Sequence, residues 1–146
     1  MDGNNFNHQF LCRLLNIGAN LAAIEGADRT YETIFSITEL VRYIYDTRKN
    51  IVLLDEEYRA VENYVRVHNM KGTGKSIALG KPGDDCRGIY ISHLSIFSHI
   101  ICEIESQVEE NEKDSEIMYL LQCKEDSIEL RKLPDNVRLA VFKIEK

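Results

Sequence analysis

Histidine and cysteine side chains near the start of the chain are the first residues whose types and spacing could do chemistry. His8 is the strongest candidate, because an imidazole nitrogen can attack an activated phosphoryl group. Cys12 follows one helical turn later, but the two side chains would need further converging ligands to hold a metal. The sequence therefore makes His8 a candidate phosphoacceptor, with an exposed polar residue in the first turn of a helix as the alternative. It predicts no metal site.

A second segment, Gly72-Thr73-Gly74-Lys75-Ser76, is similar to the end of a phosphate-binding loop. Such a loop needs an earlier glycine, and Asn69 stands at that position. The segment also follows a predicted helix, whereas a phosphate-binding loop follows a strand. A turn is therefore predicted here, and no cofactor is expected.

Composition and charge narrow the classes of protein. The 146 residues are 44% hydrophobic and 29% charged, which is typical of a folded protein and not of a disordered tail. The net charge of -6 argues against a nucleic-acid surface, because phosphate binding needs clustered lysine and arginine. Acidic side chains concentrate between Glu103 and Glu116. That segment is either a solvated helix end or a docking surface for a basic partner.

Cysteine spacing and the absence of targeting patterns indicate a compartment. The four cysteines contain no Cys-x-x-Cys pair and are widely separated: Cys12, Cys86, Cys102 and Cys123. We therefore expect neither a zinc ribbon nor a disulfide scaffold. Instead, we expect reduced thiols in the cytoplasm. The sequence shows no signal-peptide pattern and no apolar run near the ~20 residues that span a bilayer. No membrane insertion of this chain is predicted.

Two amphipathic helices are predicted before residue 50. The first has an apolar seam at steps of four and three residues: Phe10, Leu14, Ile17, Leu21 and Ile24. Gly26 is a helix stop, and Asp28 is the predicted N-cap of a second helix with its own apolar seam. The apolar surface exceeds what one antiparallel hairpin can bury, so we expect two hairpins to pair as a four-helix bundle in a homodimer. A monomer that buries the seam against its own C-terminal half is the alternative.

Helices and strands alternate in the remainder. A third helix is expected at about residues 55–68, with Leu54, Tyr58, Val61 and Val65 inward, and a fourth at 92–108. Strands are predicted at 77–79, 117–123, 127–133 and 138–144, with a loop at 80–88. The prediction is an α+β chain with a hairpin domain at 1–50 and an α/β domain at 51–146.

Three motifs occur in the same order as in a known protein family. They are Asn7-His8-Gln9-Phe10-Leu11-Cys12-Arg13, then Leu40-Val41-Arg42-Tyr43, then a helical motif built from Val52, Leu54, Glu57, Val61, Tyr64 and Val67. Together they resemble the cytoplasmic part of LytS/YesM-type sensor histidine kinases, whose first helix opens Asn-Pro-His-Phe-Leu-Phe/Tyr-Asn. The resemblance implies a dimerising helical hairpin followed by an ATPase-like α/β sandwich, here reduced.

The same alignment puts the phosphorylated histidine of that family at Gln9, with His8 in place of proline and Arg13 in place of asparagine. Glutamine cannot form a phosphoramidate. A slip of one residue makes the segment similar to the His-Asp-Trp-Leu-Asn-Lys-Leu opening of sporulation-type phosphotransferases, with His8 as phosphoacceptor. Both registers stay open at the level of sequence.

The family's ATP-binding motifs are poorly matched. Its Gln-Pro-Leu-Val-Glu-Asn-Ala helix is best matched within residues 94–103, where Ile101 and Cys102 stand at the glutamate and the magnesium-binding asparagine. Asp135-Asn136-Val137 is similar to the family's Asp-Asn-Gly, but valine replaces the glycine. The resemblance thus implies a chain without ATP-dependent phosphoryl transfer.

The predicted function is a catalytically degenerate, kinase-like regulatory or scaffold protein of two-component signalling. Its partner would be a response-regulator receiver domain or a sensor kinase. The alternatives are a phosphotransferase acting through His8 and a fragment of a larger sensor kinase.

Overall fold

The computed structural model describes residues 3–46, 48–70, 76–106 and 116–145, with side chains described from His8 onward. The chain forms two compact units, Met1–Arg48 and Lys49–Lys146. Across the described residues, no helix is both long and apolar enough to cross a membrane. The predicted turn at residues 72–75, the predicted end of the fourth helix at Val108 and most of the acidic segment lie outside the described residues.

The first unit is an antiparallel helical hairpin, as predicted. Helix α1 spans Gly3–Ile24 and helix α2 spans Asp28–Ile44. Gly26 adopts a φ of 71°, which suits glycine at a helix stop. The predicted N-cap is wrong by one residue: Ala27 is the N-cap, and Asp28 lies in the first turn, where its charge favours the helix N-terminus.

The hairpin buries one face of α1 and leaves the predicted apolar seam exposed. Facing α2, the buried α1 residues are small, namely Cys12, Ala19 and Ala22, so the two helices can approach closely. The seam residues Phe10, Leu14, Ile17, Leu21 and Ile24 are between 50% and 81% exposed. Buried Cys12 and Ala19 each follow a seam residue by two positions, which corresponds to a rotation of about 200° around the helix axis. The two apolar faces therefore lie on opposite sides of α1.

Helix α3 leads the second unit and spans Leu54–Met70, one to two residues longer at each end than predicted. Its inner face is the predicted one, since Leu54, Tyr58, Val61 and Val65 are all buried. Burying one such side chain contributes ~1.5–3 kcal/mol, so this stripe holds the helix against the unit's core.

A mixed four-stranded sheet has the order β2-β4-β5-β6. Strand β2 (Ser76–Leu79) runs parallel to β4 (Glu116–Cys123), and β4, β5 (Ser127–Leu133) and β6 (Val137–Lys143) form an antiparallel meander. All four strands were predicted within a residue or so of their observed bounds. Alternating residues of β4 are buried: Ile117, Tyr119 and Leu121.

Two further strands were missed by the sequence analysis. Strand β1 (Ile51–Leu53) pairs antiparallel with β3 (Tyr90–Ser92), so that Val52 lies opposite Ile91. Three residues are too few to show a strand period, and the pairing joins segments about forty positions apart. The predicted start of the fourth helix at Ser92 is wrong for this reason. Helix α4 spans Ser95–Ser106.

The expectation of four reduced thiols is also wrong in this structure. Cys86, in a short 3₁₀ helix at Asp84–Cys86, forms a disulfide with Cys123 at the end of β4, and their Cα atoms are 5.5 Å apart. Cys12 is a buried free thiol and Cys102 an exposed one. Spacing along the sequence could not reveal the pair, because 37 positions separate its members.

Candidate functional site

His8 and Gln9, the two candidates for the phosphoacceptor position, have different surroundings. The His8 ring stacks on Tyr45 of the turn after α2, with the ring centroids 5.5 Å apart and the ring planes 26° apart. Its Nε2 atom is buried and has no hydrogen-bond partner among the described residues. Gln9 is exposed, as is Arg13 one turn later. On this turn of α1, the outward side chain is therefore the glutamine.

Cys12 lies on the same side of α1 as His8 and is buried in the hairpin. The structure thus brings together the two residues that could have begun a metal site. Within the described residues, however, no group of three or more histidine, cysteine, aspartate or glutamate side chains is placed to hold a metal ion. Cys12 therefore serves as a small apolar residue in the core of the hairpin.

Glu57 on α3 entered the sequence analysis only as a member of the third motif, without a structural role. Its side chain is fully buried, and its carboxylate accepts backbone hydrogen bonds from Leu94 (2.6 Å), Ile96 (2.8 Å) and Phe97 (3.1 Å). These N–H groups begin α4, where an α-helix leaves its first donors unpaired and carries partial positive charge. In the sequence, this role is indicated only by the position of a glutamate on the apolar face of α3, between Leu54 and Val61. Glu57 caps α4 from a neighbouring helix and fixes the start of that helix against α3.

Helices α3 and α4 also meet further along their length. The hydroxyl of Tyr64 donates a hydrogen bond to Oε1 of Glu105. Burial, followed by this hydrogen bond and the nearby carboxylate charge, raises the pKa of the Tyr64 phenol. Tyr58 donates to the backbone carbonyl of Gly80 at 2.9 Å, which ties α3 to the end of β2. Burial raises the pKa of Tyr58 to about 12, with a smaller contribution from Glu62.

Helix α4 carries the residues aligned with the kinase magnesium motif. Three residues of this helix are buried and only 0–1% exposed: Ile96, Ile100 and Ile104. Ile101 is half-buried, and Cys102 presents a free thiol to solvent. Neither side chain offers the oxygen ligands that Mg²⁺ prefers.

Residues 134–136 form the turn between β5 and β6. Asn136 adopts a φ of 55°, a left-handed conformation that asparagine tolerates, and its carbonyl accepts a hydrogen bond from Arg131 Nη1 at 3.2 Å. Val137 then begins β6 opposite Lys132. Asp135 and Asn136 therefore belong to a hairpin turn, after which the chain returns along β5.

A charged cluster lies on the side of β5 opposite the buried Ile128 and Leu130. Glu129 accepts hydrogen bonds from Lys124 (2.8 Å) and from two nitrogens of Arg131 (2.9 and 3.1 Å), and Arg138 lies 3.7 Å away. The hydrogen bond from Lys124, with those from Arg131, lowers the pKa of Glu129 below its ordinary value although burial opposes the shift. The three cations cover the carboxylate, which is almost completely buried.

Comparison with known proteins decides the family. The histidine kinase family model matches residues 3–75, half of the chain. The chain belongs to the histidine kinase family. The match covers the hairpin and continues through β1 and α3, which is the LytS/YesM-type dimerisation region. No curated protein is significantly similar to the chain.

Within this histidine kinase region, two of the three motifs now have a structural account. The third motif supplies the inner face of α3 together with Glu57, so its glutamate has a capping role in this chain. The first motif puts Gln9 outward and His8 against Tyr45. The two registers differ by a slip of one residue, and these contacts show how each candidate side chain is placed.

Proposed function

We propose that this histidine kinase family member is a catalytically degenerate regulatory or scaffold module of two-component signalling. It would act in the cytoplasm as a homodimer built on the α1–α2 hairpin. Its partner would be a response-regulator receiver domain or a sensor kinase, and it would use no cofactor. The division into a hairpin domain (1–50) and a reduced ATPase-like domain (51–146) is part of the same proposal.

The observation that carries this proposal is the side chain that α1 turns outward at the position aligned with the family's phosphorylated histidine. Gln9 is exposed there, and an amide nitrogen is not a nucleophile that accepts a phosphoryl group. The neighbouring imidazole of His8 has its Nε2 buried against the hairpin. Phosphoryl transfer through Nε2 of His8 would therefore require the ring to leave Tyr45 first.

Residues of the second unit support the loss of ATP chemistry. Phosphoryl transfer from ATP depends on metal ions and charge positioned around the phosphates. Ile101 and Cys102 provide neither at the two aligned positions of α4. Asp135 and Asn136 lie in the hairpin turn before β6, which begins at Val137.

The exposed seam of α1 supports self-association. Five large apolar side chains at heptad spacing are at least half exposed, and Arg13 is the one charged side chain among the residues of α1. Side chains at steps of four and three form one continuous seam along a helix, as in coiled coils and bundles. Burial of such a seam between two hairpins would give the four-helix bundle expected of this family region.

The test combines nucleotide binding with phosphate labelling of the full chain. We expect isothermal titration to detect no Mg-ATP binding in the range typical of kinases. We also expect intact-mass analysis to find no acid-labile phosphate after incubation with phosphoramidate or a phosphorylated receiver domain. A receiver known to donate phosphate to another histidine protein serves as the positive control.

The labelling experiment also separates the proposal from its main alternative. Label on the wild-type chain that disappears in His8→Ala would make the protein a phosphotransferase. Label that survives in His8→Ala would place the acceptor elsewhere, and Mg-ATP binding would overturn the degenerate assignment.

A further inference from the structure

We propose that Cys86 and Cys123 form a reversible thiol–disulfide exchange site that controls the segment between β2 and β3. The inference goes beyond the proposed signalling role, since it concerns a different unit of the chain. The reacting partner is a protein dithiol or glutathione, acting on the disulfide as a reductant.

The bond joins an irregular segment to the sheet. Cys86 lies in the 3₁₀ helix of the connection that leaves β2 at Gly80 and enters β3 at Tyr90, whereas Cys123 ends the central strand β4. The connection is anchored at its ends, where Gly80 N donates to Tyr119 O and Ile89 O accepts from Leu54 N. The disulfide is the covalent tie to the sheet between those two anchors.

Between the anchors, the backbone hydrogen bonds of the 3₁₀ helix are local. Cys86 N donates to Gly83 O and Arg87 N donates to Asp84 O, so both bonds stay within the segment. Asp84 and Arg87 pair with each other at 3.4 Å, and both side chains are more than 80% exposed. Such contacts contribute little to stability. Loss of the disulfide should therefore release this segment before the rest of the unit.

The two cysteine residues differ in exposure, and we take the more exposed one as the point of attack. Cys86 is 3% exposed and Cys123 is half-buried. An entering thiolate would attack the sulfur of Cys123 to form a mixed disulfide, and Cys86 would leave as a thiolate that takes up a proton. A second thiol, from the same dithiol or from another glutathione molecule, then attacks the mixed disulfide and releases Cys123. The protein gains two electrons and two protons, and the two reductant thiols become one disulfide.

The proposed cytoplasmic location bears on the character of this bond. Cytosolic disulfides in most organisms are transient and serve catalysis or redox sensing, because glutathione and thioredoxin systems keep thiols reduced. A disulfide that ties down one irregular segment fits the sensing class. Its reversibility can be measured on the isolated chain without any kinase activity.

The experiment equilibrates the full-length chain in glutathione buffers whose ratio of reduced to oxidised form is varied. Free thiols are then alkylated and counted by mass. We expect Cys86 and Cys123 to pass together from unlabelled to labelled within the range of ratios found in cells. A Cys102→Ser variant, which removes the exposed free thiol, should titrate in the same way and excludes disulfide shuffling.

Limited trypsin digestion reports the structural response. The Arg87 side chain is 82% exposed beside Cys86, so restraint of the backbone by the disulfide controls cleavage after Arg87. We expect this cleavage to be at least about 10-fold faster after reduction. Cleavage after Arg48, which is 86% exposed in the other unit, is the internal control and should not change.

Three outcomes would overturn the proposal. The thiols could remain unlabelled at every ratio, which would make the bond a permanent structural disulfide, or be labelled at every ratio, which would mean that it does not form. Equal cleavage after Arg87 in both states would show that the bond restrains nothing. The Cys86→Ser/Cys123→Ser double variant should reproduce the reduced digestion pattern; if it does not fold, reduction of the wild-type chain supplies the same comparison.

Discussion

Glu57 on α3 and Ile96 on α4 are joined by a hydrogen bond of 2.8 Å from the Ile96 backbone N–H to a carboxylate that is fully buried. The two residues are 39 positions apart, and Glu57 lies in the region matched by the histidine kinase family whereas Ile96 lies beyond it. Through this contact the last family-matched helix determines where α4 begins. It makes Glu57 a structural residue of the second unit.

Removal of the Glu57 carboxylate should destabilise the second unit strongly. Glu57→Ala would leave three N–H groups of the α4 start, two buried and one partly buried, without their acceptor, and the loss at a buried group costs roughly 1–3 kcal/mol. We expect a decrease of at least about 3 kcal/mol in the free energy of unfolding by urea. The matched control is Glu56→Ala, which removes a half-buried side chain 3.7 Å from Lys49 and should change stability by less than about 0.5 kcal/mol. Equal effects of the two changes would contradict the capping role.

Glu129 should contribute a pH-dependent part of the stability. Its pKa in the folded chain is lowered from the ordinary value of 4.5. The unfolded chain therefore binds more protons between the two pKa values, and stability rises with pH in that window. We expect wild type to be more stable than Glu129→Gln at pH 7, and the difference to shrink as the pH falls below 4.5 and through the folded pKa.

Urea unfolding of both chains from pH 2 to pH 7 measures this dependence. The exposed Glu125→Gln is the matched control and should run parallel to wild type. A difference between wild type and Glu129→Gln that is constant with pH would mean that charge pairing is not its origin.

The disulfide should stabilise the folded chain through its effect on the unfolded state. It closes a loop across 37 positions, for which the chain-entropy model gives about 3–4 kcal/mol. Urea unfolding with and without reduction should show a loss of this order in the second unit. The helical signal of the hairpin, followed separately, should not change on reduction, because the hairpin's cysteine, Cys12, is not part of the disulfide. An unchanged free energy of unfolding on reduction would contradict this contribution of the disulfide.

The exposed seam of α1 should be required for the proposed dimerisation and not for folding of the hairpin. Ile17→Glu puts a charge into the centre of the seam, where the side chain is 56% exposed in the single chain. Burial of an unpaired charge at an interface is strongly unfavourable. We expect sedimentation equilibrium to show a monomer with unchanged helical circular dichroism. Asn20→Glu, also exposed on α1, is the control and should remain dimeric; a dimeric Ile17→Glu would refute this interface.

Periodic segments were readable from the sequence because their signal is local. Steps of three and four residues indicated α1, α2 and the inner face of α3, and alternation indicated β4 and β5 with nearly their observed bounds. The family resemblance rested on residues within these same segments. In each case, one face of a single element carries the pattern, and neighbours along the chain are sufficient to show it.

The tertiary structure alone decided the features that join distant segments. The β1–β3 pair, the Cys86–Cys123 bond and the capping of α4 by Glu57 each connect residues at least 37 positions apart, and no local period records such a contact. The different surroundings of His8 and Gln9 have the same kind of origin. Both occupy one helical turn of α1, and it is the packing of α2, with Tyr45 beyond its end, that covers the histidine and leaves the glutamine outward.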